Sequence, residues 1–326
     1  MSARGASLAA TIVFVGLVQA GVAWSSPFAY ITNQGDNTVS VIDTANNRVI
    51  RSIDVGDKPA GIAVSDDGSR IYVTNPKSRD LTVIDGNLHR VVGTVQLSAS
   101  LVGVALDPSG KRILLADWFN HQLLVYDAAS FQLRSKISVG RAPTGIAVSR
   151  ADGKIFVANR DSNSVSVIDG TSLKVVGKTR VGKHPFGISV DSRTGRLFTA
   201  NVESNDVSVV STKDLKLVAT VQVGERPYAT ALVAAGSLLM VTNQYDNTVS
   251  VIDTVSLKVV KTIDVGEYPE GISTHPDDRH VYVANWFSNE VSVIDSRKLE
   301  VIKTIATGEG SRAFGQFIGA GQSMAR

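Results

Sequence analysis

The chain contains no cysteine. That absence excludes disulfide staples, thiolate metal sites, covalently attached c-type haem and a cysteine nucleophile. Staples are not needed, because a chain of about 300 residues buries roughly 75% of its unfolded surface. Charge of one sign is equally scarce: 33 Lys and Arg against 30 Asp and Glu leave a formal +3. No run of Lys or Arg exceeds two residues. Nucleic-acid binding relies on clustered cations that release counterions, so a nucleic-acid partner is not expected. After residue 27 there is neither a long hydrophobic run nor a helical period.

The exception is the start of the chain. "MSARG" carries one Arg, "SLAATIVFVGLVQAGVAW" is apolar, and Ala23 and Ser25 are small residues suited to cleavage. This is the pattern of a secretory signal peptide. An uncleaved anchor is the competing reading, since the apolar run approaches the length of a short membrane span. Pro27 and a strand-like start at Phe28 favour cleavage, and the missing Cys excludes lipoprotein attachment. The expected organisation is a signal peptide over residues 1–25 and a single domain over residues 26–326. The mature protein is expected in the periplasm, as a monomer with no membrane span.

What is present in abundance is repetition. "TNQGDNTVSVIDT" at residues 32–44 returns as "TNQYDNTVSVIDT" at residues 242–254. Asn33, Asn75, Asp117, Asn159, Asn201, Asn243 and Asn285 stand 42 residues apart with no insertion. A second column ends "VID" or a near copy, at Asp43, Asp85, Asp127, Asp169, Ser211, Asp253 and Asp295. A third reads "VGxxP"; it is missing from the second repeat ("LSASL") and degraded in the last ("TGEGS"). Within each repeat, runs such as "NTVSVIDT" and "KIFVAN" alternate β-branched and small polar residues, which is strand chemistry. Gly, Pro, Asn and Asp punctuate the runs as hairpin turns. Four strands of about 5–6 residues with short connections fill each repeat. Seven such four-stranded sheets bury their faces only against one another, which makes an all-β, seven-bladed β-propeller.

These residues carry a resemblance. "YVTN…TVSVID…VVxTIxVGxxPxGIAVS" resembles the YVTN β-propeller repeat family, which includes YncE-like bacterial proteins, over roughly residues 28–319. The resemblance implies a periplasmic or surface protein and an inner-to-outer strand order of "GIAVS", "IYVTN", "TVSVID" and "VIRSIDVG". The chain then begins on a second strand and ends with "AFGQFIG" (residues 313–319) in the register of an inner strand. The C-terminal strand is therefore expected to close the first blade and remove an open edge.

Several chemical signals are discounted. "GKTRVGKH" (Gly177–His184) and "GEGSRA" (Gly308–Ala313) imitate nucleotide-binding loops but lead into strands, not helices. The Asn and Asp columns recur too often to form one metal site or carboxylate pair, and read as turn caps. His89, His275 and His280 fall in lower-face hairpins and read as solvated turn positions; His121 and His184 fall on upper-face loops, where acid–base work is conceivable. There is no "GxSxG" elbow. Neither a metal nor a cofactor is expected.

Function should show where a column stops agreeing with itself. The column before each inner strand reads Ala60, Val102, Thr144, Phe186, Tyr228, Glu270 and Arg312, bland on one arc and bulky or charged on the other. The adjoining columns contribute His184, Arg226, Tyr245 and Trp286 over the same arc. These eight residues are the candidate binding site, on the upper face and at the mouth of the channel. The expected function is recognition of a small molecule, peptide or partner protein without catalysis. Two alternatives follow from the resemblance: a lactonase- or lyase-like enzyme using Glu270, Arg312 and His184, and an accessory subunit in periplasmic quinoprotein chemistry.

Overall fold

The computed structural model describes residues 27–97 and 99–319, so the expected signal peptide lies outside the described residues. Seven antiparallel sheets follow one another in chain order. The first holds Phe28–Asn33, Thr38–Asp43 and Arg48–Asp54; the other six have four strands each. The fifth, for example, runs Pro185–Asp191, Arg196–Asn201, Asp206–Ser211 and Leu217–Gln222 from the channel outward. The one helical element among the described residues is a single 3-10 turn, Arg160–Ser162. A seven-bladed propeller is what the 42-residue period requires.

Burial explains the strand chemistry. The second and third strands of each blade are covered on both faces by neighbouring blades, so "RIYVTN" and "DLTVID" are buried almost throughout. Each buried Val or Ile contributes about 1.5–3 kcal/mol. Six of the seven outer strands keep one buried position, such as Ile53, Ile263 and Ile305, and that of the second blade has none, while Val49, Ile50, Val259 and Val260 face solvent. In every blade the pairing of third and outer strands slips at one column, as at Val167/Ile168 and Val251/Ile252. Such a bulge adds twist at the rim.

The Asp column caps turns as expected: Asp253 accepts the backbone N–H groups of Val255 and Ser256, and Asp85 those of Asn87 and Leu88. The Asn anchors do something else. Each is buried, and its amide crosses to the next strand, as Asn243 Nδ2 does to Thr248 Oγ1 and Ser250 Oγ, both at 2.9 Å. The glycine of "VGxxP" lies against the following anchor, so a Cβ at Gly308 would sit 2.6 Å from Asn33 Nδ2. The second and third sequence columns are thus two halves of one joint between blades. In the third repeat the anchor is Asp117, and the glycine column falls on Ser98, which lies outside the described residues.

The ring closes at the predicted place. Arg312 N–H donates to Thr32 O (2.8 Å) and Tyr30 N–H to Phe317 O (3.0 Å), while Ile62 N–H on the second blade donates to Phe314 O (2.9 Å). The segment occupies the inner position of the first blade as isolated bridges rather than a regular strand. Gly315 interrupts it, at φ +128°.

Candidate functional site

Phe186, Tyr228 and Glu270 begin the inner strands of the fifth, sixth and seventh blades, and Arg312 enters the closing segment of the first. The structure brings all four together. The Phe186 and Tyr228 rings stack at 4.2 Å, and Phe314 meets both edge-on at 4.9 and 5.6 Å. Arg312 Nη2 donates to Tyr228 Oη at 2.9 Å, and Gln244 Nε2 donates to Glu270 Oε1 at 2.9 Å. Arg312 Nε and Glu270 Oε2 lie 2.6 Å apart, yet this contact is misaligned and counts as an ion pair without a directed hydrogen bond.

Burial decides what these groups can do. Phe186, Tyr228 and Glu270 are 7%, 5% and 2% exposed. They form the floor beneath the upper face, packed into the core shared by the fifth to seventh blades. Burial pushes the Glu270 carboxyl above its ordinary range, against the opposing pull of Arg312. Burial likewise raises the Tyr228 phenol. Arg312 stays cationic, since Glu270 and Tyr228 outweigh its own desolvation.

Above the floor lies a surface. Trp286 is half-buried, with the Arg312 guanidinium 5.8 Å from its ring centre. Tyr268 joins Trp286 (5.4 Å), Phe287 (4.6 Å) and Tyr245 (5.7 Å), and Arg226 lies 5.2 Å over the Tyr245 ring. Tyr245 and Phe287 are 52% and 58% exposed. Tyr268 and Phe287 were not among the eight candidates; Tyr268 is the one aromatic in its column, and Phe287 shares its column with the candidate Tyr245.

His184 does not join Glu270 and Arg312. Its Nδ1 lies 2.8 Å from Glu203 Oε1. His121 Nδ1 accepts the Ala142 N–H at 3.2 Å, a structural duty. Nor is the lower-face His89 a solvated turn residue. His89 packs edge-on to Phe28 at 4.5 Å, with its Nδ1 3.0 Å from Tyr30 Oη, and burial with nearby Arg51 lowers its pKa.

The channel itself is open elsewhere. A cavity of about 650 Å³ runs from Gly103, Gly145 and Gly187 down to the lower-face turns that hold Asp66, Asp107, Arg150 and Ser192. None of the eight candidate residues lines it. Across its mouth Arg150 makes a two-pronged ion pair with Asp66, at 2.7 and 2.6 Å, spanning two blades.

Residues 25–109 match the YNCE-like beta-propeller family. That match spans about a quarter of the chain and, together with the seven-bladed ring, supports a YncE-like propeller. Residues 228–313 also match the cytochrome D1 heme domain. Among solved structures, a functionally unknown protein from Desulfotomaculum acetoxidans DSM 771 is similar at 19% identity and TM-score 0.76, covering 89% of this chain and 100% of that one. Kuenenia stuttgartiensis hydrazine synthase is similar at 19% identity and TM-score 0.67, over 87% and 99%. Dihydro-heme d1 dehydrogenase NirN in complex with DHE is similar at 18% identity and TM-score 0.66, over 86% and 63%. At these identities the likeness is one of fold. The PE-PGRS family protein PE_PGRS18 of Mycobacterium tuberculosis is 61% identical over 36 residues, 11% of this chain and 8% of that protein. At the upper end of this ring Phe186, Tyr228 and Phe314 pack against one another and His121 and His184 are engaged with Ala142 and Glu203, so these residues do not fit a haem-type macrocycle.

Proposed function

We propose that this YNCE-like propeller is an exported, non-catalytic binding protein that recognises a partner through its upper face. One observation carries the reading: Tyr245, Tyr268, Trp286 and Phe287, with Arg226 and Arg312, form a continuous aromatic and cationic surface on adjoining blades. Rigid aromatics supply contact area at low entropic cost, and arginine supplies oriented donors. Scaffold stability alone would give each blade the same residues at these columns. The enzyme alternative loses support, because Glu270 and Arg312 face each other and His184 faces Glu203.

The test uses protein recovered from its native cells with its bound partner identified by mass spectrometry. Tyr245→Ala and Phe287→Ala should each weaken that partner by about 30-fold, the ~2 kcal/mol of an interface hot spot. Thermal stability should stay within about 1 kcal/mol, because both residues are exposed. Unchanged affinity in both variants would dismiss the upper face. Export is checked separately by mass: the purified mature chain should begin between about residues 21 and 27, and an intact N-terminus on membrane-retained protein would refute it.

A further inference from the structure

The hairpin joining the inner and second strands of the seventh blade reads His275-Pro-Asp277-Asp-Arg-His280. Its backbone is fixed by His275 N–H donating to His280 O (2.8 Å) and Asp278 N–H donating to His275 O (2.9 Å). Both imidazoles are thereby aimed at one carboxylate. His275 Nδ1 lies 3.0 Å from Asp277 Oδ1, and His280 Nδ1 lies 2.6 Å from Asp277 Oδ2. The donor atoms of the three residues all fall within 4.8 Å of one another.

The first blade determines which nitrogen of His275 carries a proton. Thr44 Oγ1 donates its single hydrogen to Pro27 O at 2.5 Å. Its 3.2 Å contact with His275 Nε2 must therefore be a bond donated by the imidazole. In the neutral ring Nδ1 then carries the lone pair. It receives the Asp277 N–H at 3.2 Å while also facing the Asp277 carboxylate. A lone pair set against an anionic oxygen is repulsive unless a cation lies between them.

We propose that His275, Asp277 and His280 form a binding site for a divalent transition metal of the zinc class. Two neutral imidazoles and one carboxylate are a donor set suited to such ions, with a fourth position left to water. Bond lengths of about 2.0–2.2 Å in a tetrahedron set donor atoms about 3.3 Å apart. Opening the present 3.0 and 2.6 Å contacts to that spacing needs only small side-chain rotations. Thr44 acts as the outer partner that fixes the His275 tautomer, a role typical of metal-bound histidines. The site also lies on the closing seam, where Tyr282 Oη donates to Asn47 Oδ1 at 2.6 Å. The bound ion would tie the seventh blade more firmly to the first.

The test titrates the metal-stripped mature protein with Zn²⁺ and, as a spectroscopic probe, Co²⁺. The expected results are one bound ion per chain, visible Co²⁺ absorption of a low-coordinate nitrogen–oxygen site, and a Tm that rises by a few degrees with excess Zn²⁺. His280→Gln should abolish the Co²⁺ spectrum and the Tm rise, and Thr44→Val should weaken Zn²⁺ by about 10–100-fold. His280→Gln keeps the protein testable because that side chain is partly exposed and its backbone bonds remain. Absence of stoichiometric binding would overturn the proposal. So would binding that His280→Gln leaves intact, which would place the ion elsewhere. A cluster that holds only a proton would show as unchanged Tm with Zn²⁺, and would also overturn it.

Discussion

Truncating Arg312 tests the floor of the upper face most directly. Arg312→Met keeps the length and packing of the side chain but leaves Glu270 buried, with Gln244 as its remaining partner. Removing one member of a buried ion pair costs about 3–5 kcal/mol, because the other charge is stranded. Folded Glu270 would escape by taking a proton, so its pKa in the variant lies still further above the unfolded value of about 4.3. A group raised in the folded state contributes fully below the unfolded pKa and loses that contribution as pH rises through the folded one. The variant should therefore fall short of wild type by about 3–5 kcal/mol at pH 7 and by much less near pH 4. In thermal melts the neutral-pH loss corresponds to about 6–15 °C. The pair is not itself a large net stabiliser, since burial raises Glu270 even with Arg312 in contact. Glu270→Gln combined with Arg312→Met should recover most of the loss, giving a coupling of about 2 kcal/mol or more. Urea denaturation of the four proteins at both pH values decides it. A loss under about 1 kcal/mol, or one equal at the two pH values, would refute the reasoning.

Gly308→Ala should cost about 1–3 kcal/mol, because the added methyl meets the buried Asn33 amide at the closing joint; Gly93→Ala, with nothing within 4 Å, is the neutral control in the same melt. Ala142→Gly should stabilise by about 0.5–1 kcal/mol, since Ala142 is held at φ +50° where only glycine is unstrained; a destabilised variant in urea would contradict that strain. Deleting residues 311–326 removes the bonds from Arg312, Phe314 and Phe317 to the first and second blades. The truncated chain should aggregate or unfold without a single cooperative transition, seen by light scattering and calorimetry. A monomer with an unchanged Tm would show that closure adds no stability.

How much of this was legible in the sequence depended on whether a feature repeats. The 42-residue step fixed blade number, because each column must satisfy the same neighbours seven times, whereas strand order and the closing segment followed from the resemblance to the YVTN repeat. The Asp column was read correctly, since its bonds are local and reach only two or three residues. The Asn anchors were misread as turn caps because their partners, such as Thr248 and Ser250 for Asn243, lie across a strand pair. His275 was misread for a stronger reason: its environment is made by Thr44, 231 residues away. Phe186, Tyr228, Glu270 and Arg312 were placed together by register arithmetic, but periodicity reports position around the ring and not depth along the channel. Their burial was invisible until Phe314 and Gln244 were seen packed against them.

A glycine directly follows the column of Phe186 and Tyr228 in five of the seven blades and sets how closely the inner strands approach. A Cβ at Gly145 or Gly187 would collide with the backbone carbonyl of Phe186 or Tyr228 on the next blade. Gly61, Gly103 and Gly271 meet Val102, Thr144 and Ala313 in the same way. Glycine there lets adjacent backbones approach closely, which draws the inner strands together just below the upper mouth. Phe186, Tyr228 and Phe314 pack against one another there, and the cavity lined in part by Phe314 runs toward Asp66 and Arg150. A small molecule usually needs a concave site that buries most of its surface, and here that concavity opens on the lower face. The upper face offers the opposite: a shallow, rigid display of Tyr245, Trp286 and Phe287 beside Arg226. Such a surface suits a peptide or protein partner better than a small ligand. We propose that the upper-face partner is a peptide or protein, and competition by a peptide cut from the captured partner is the measurement that separates this from a small ligand.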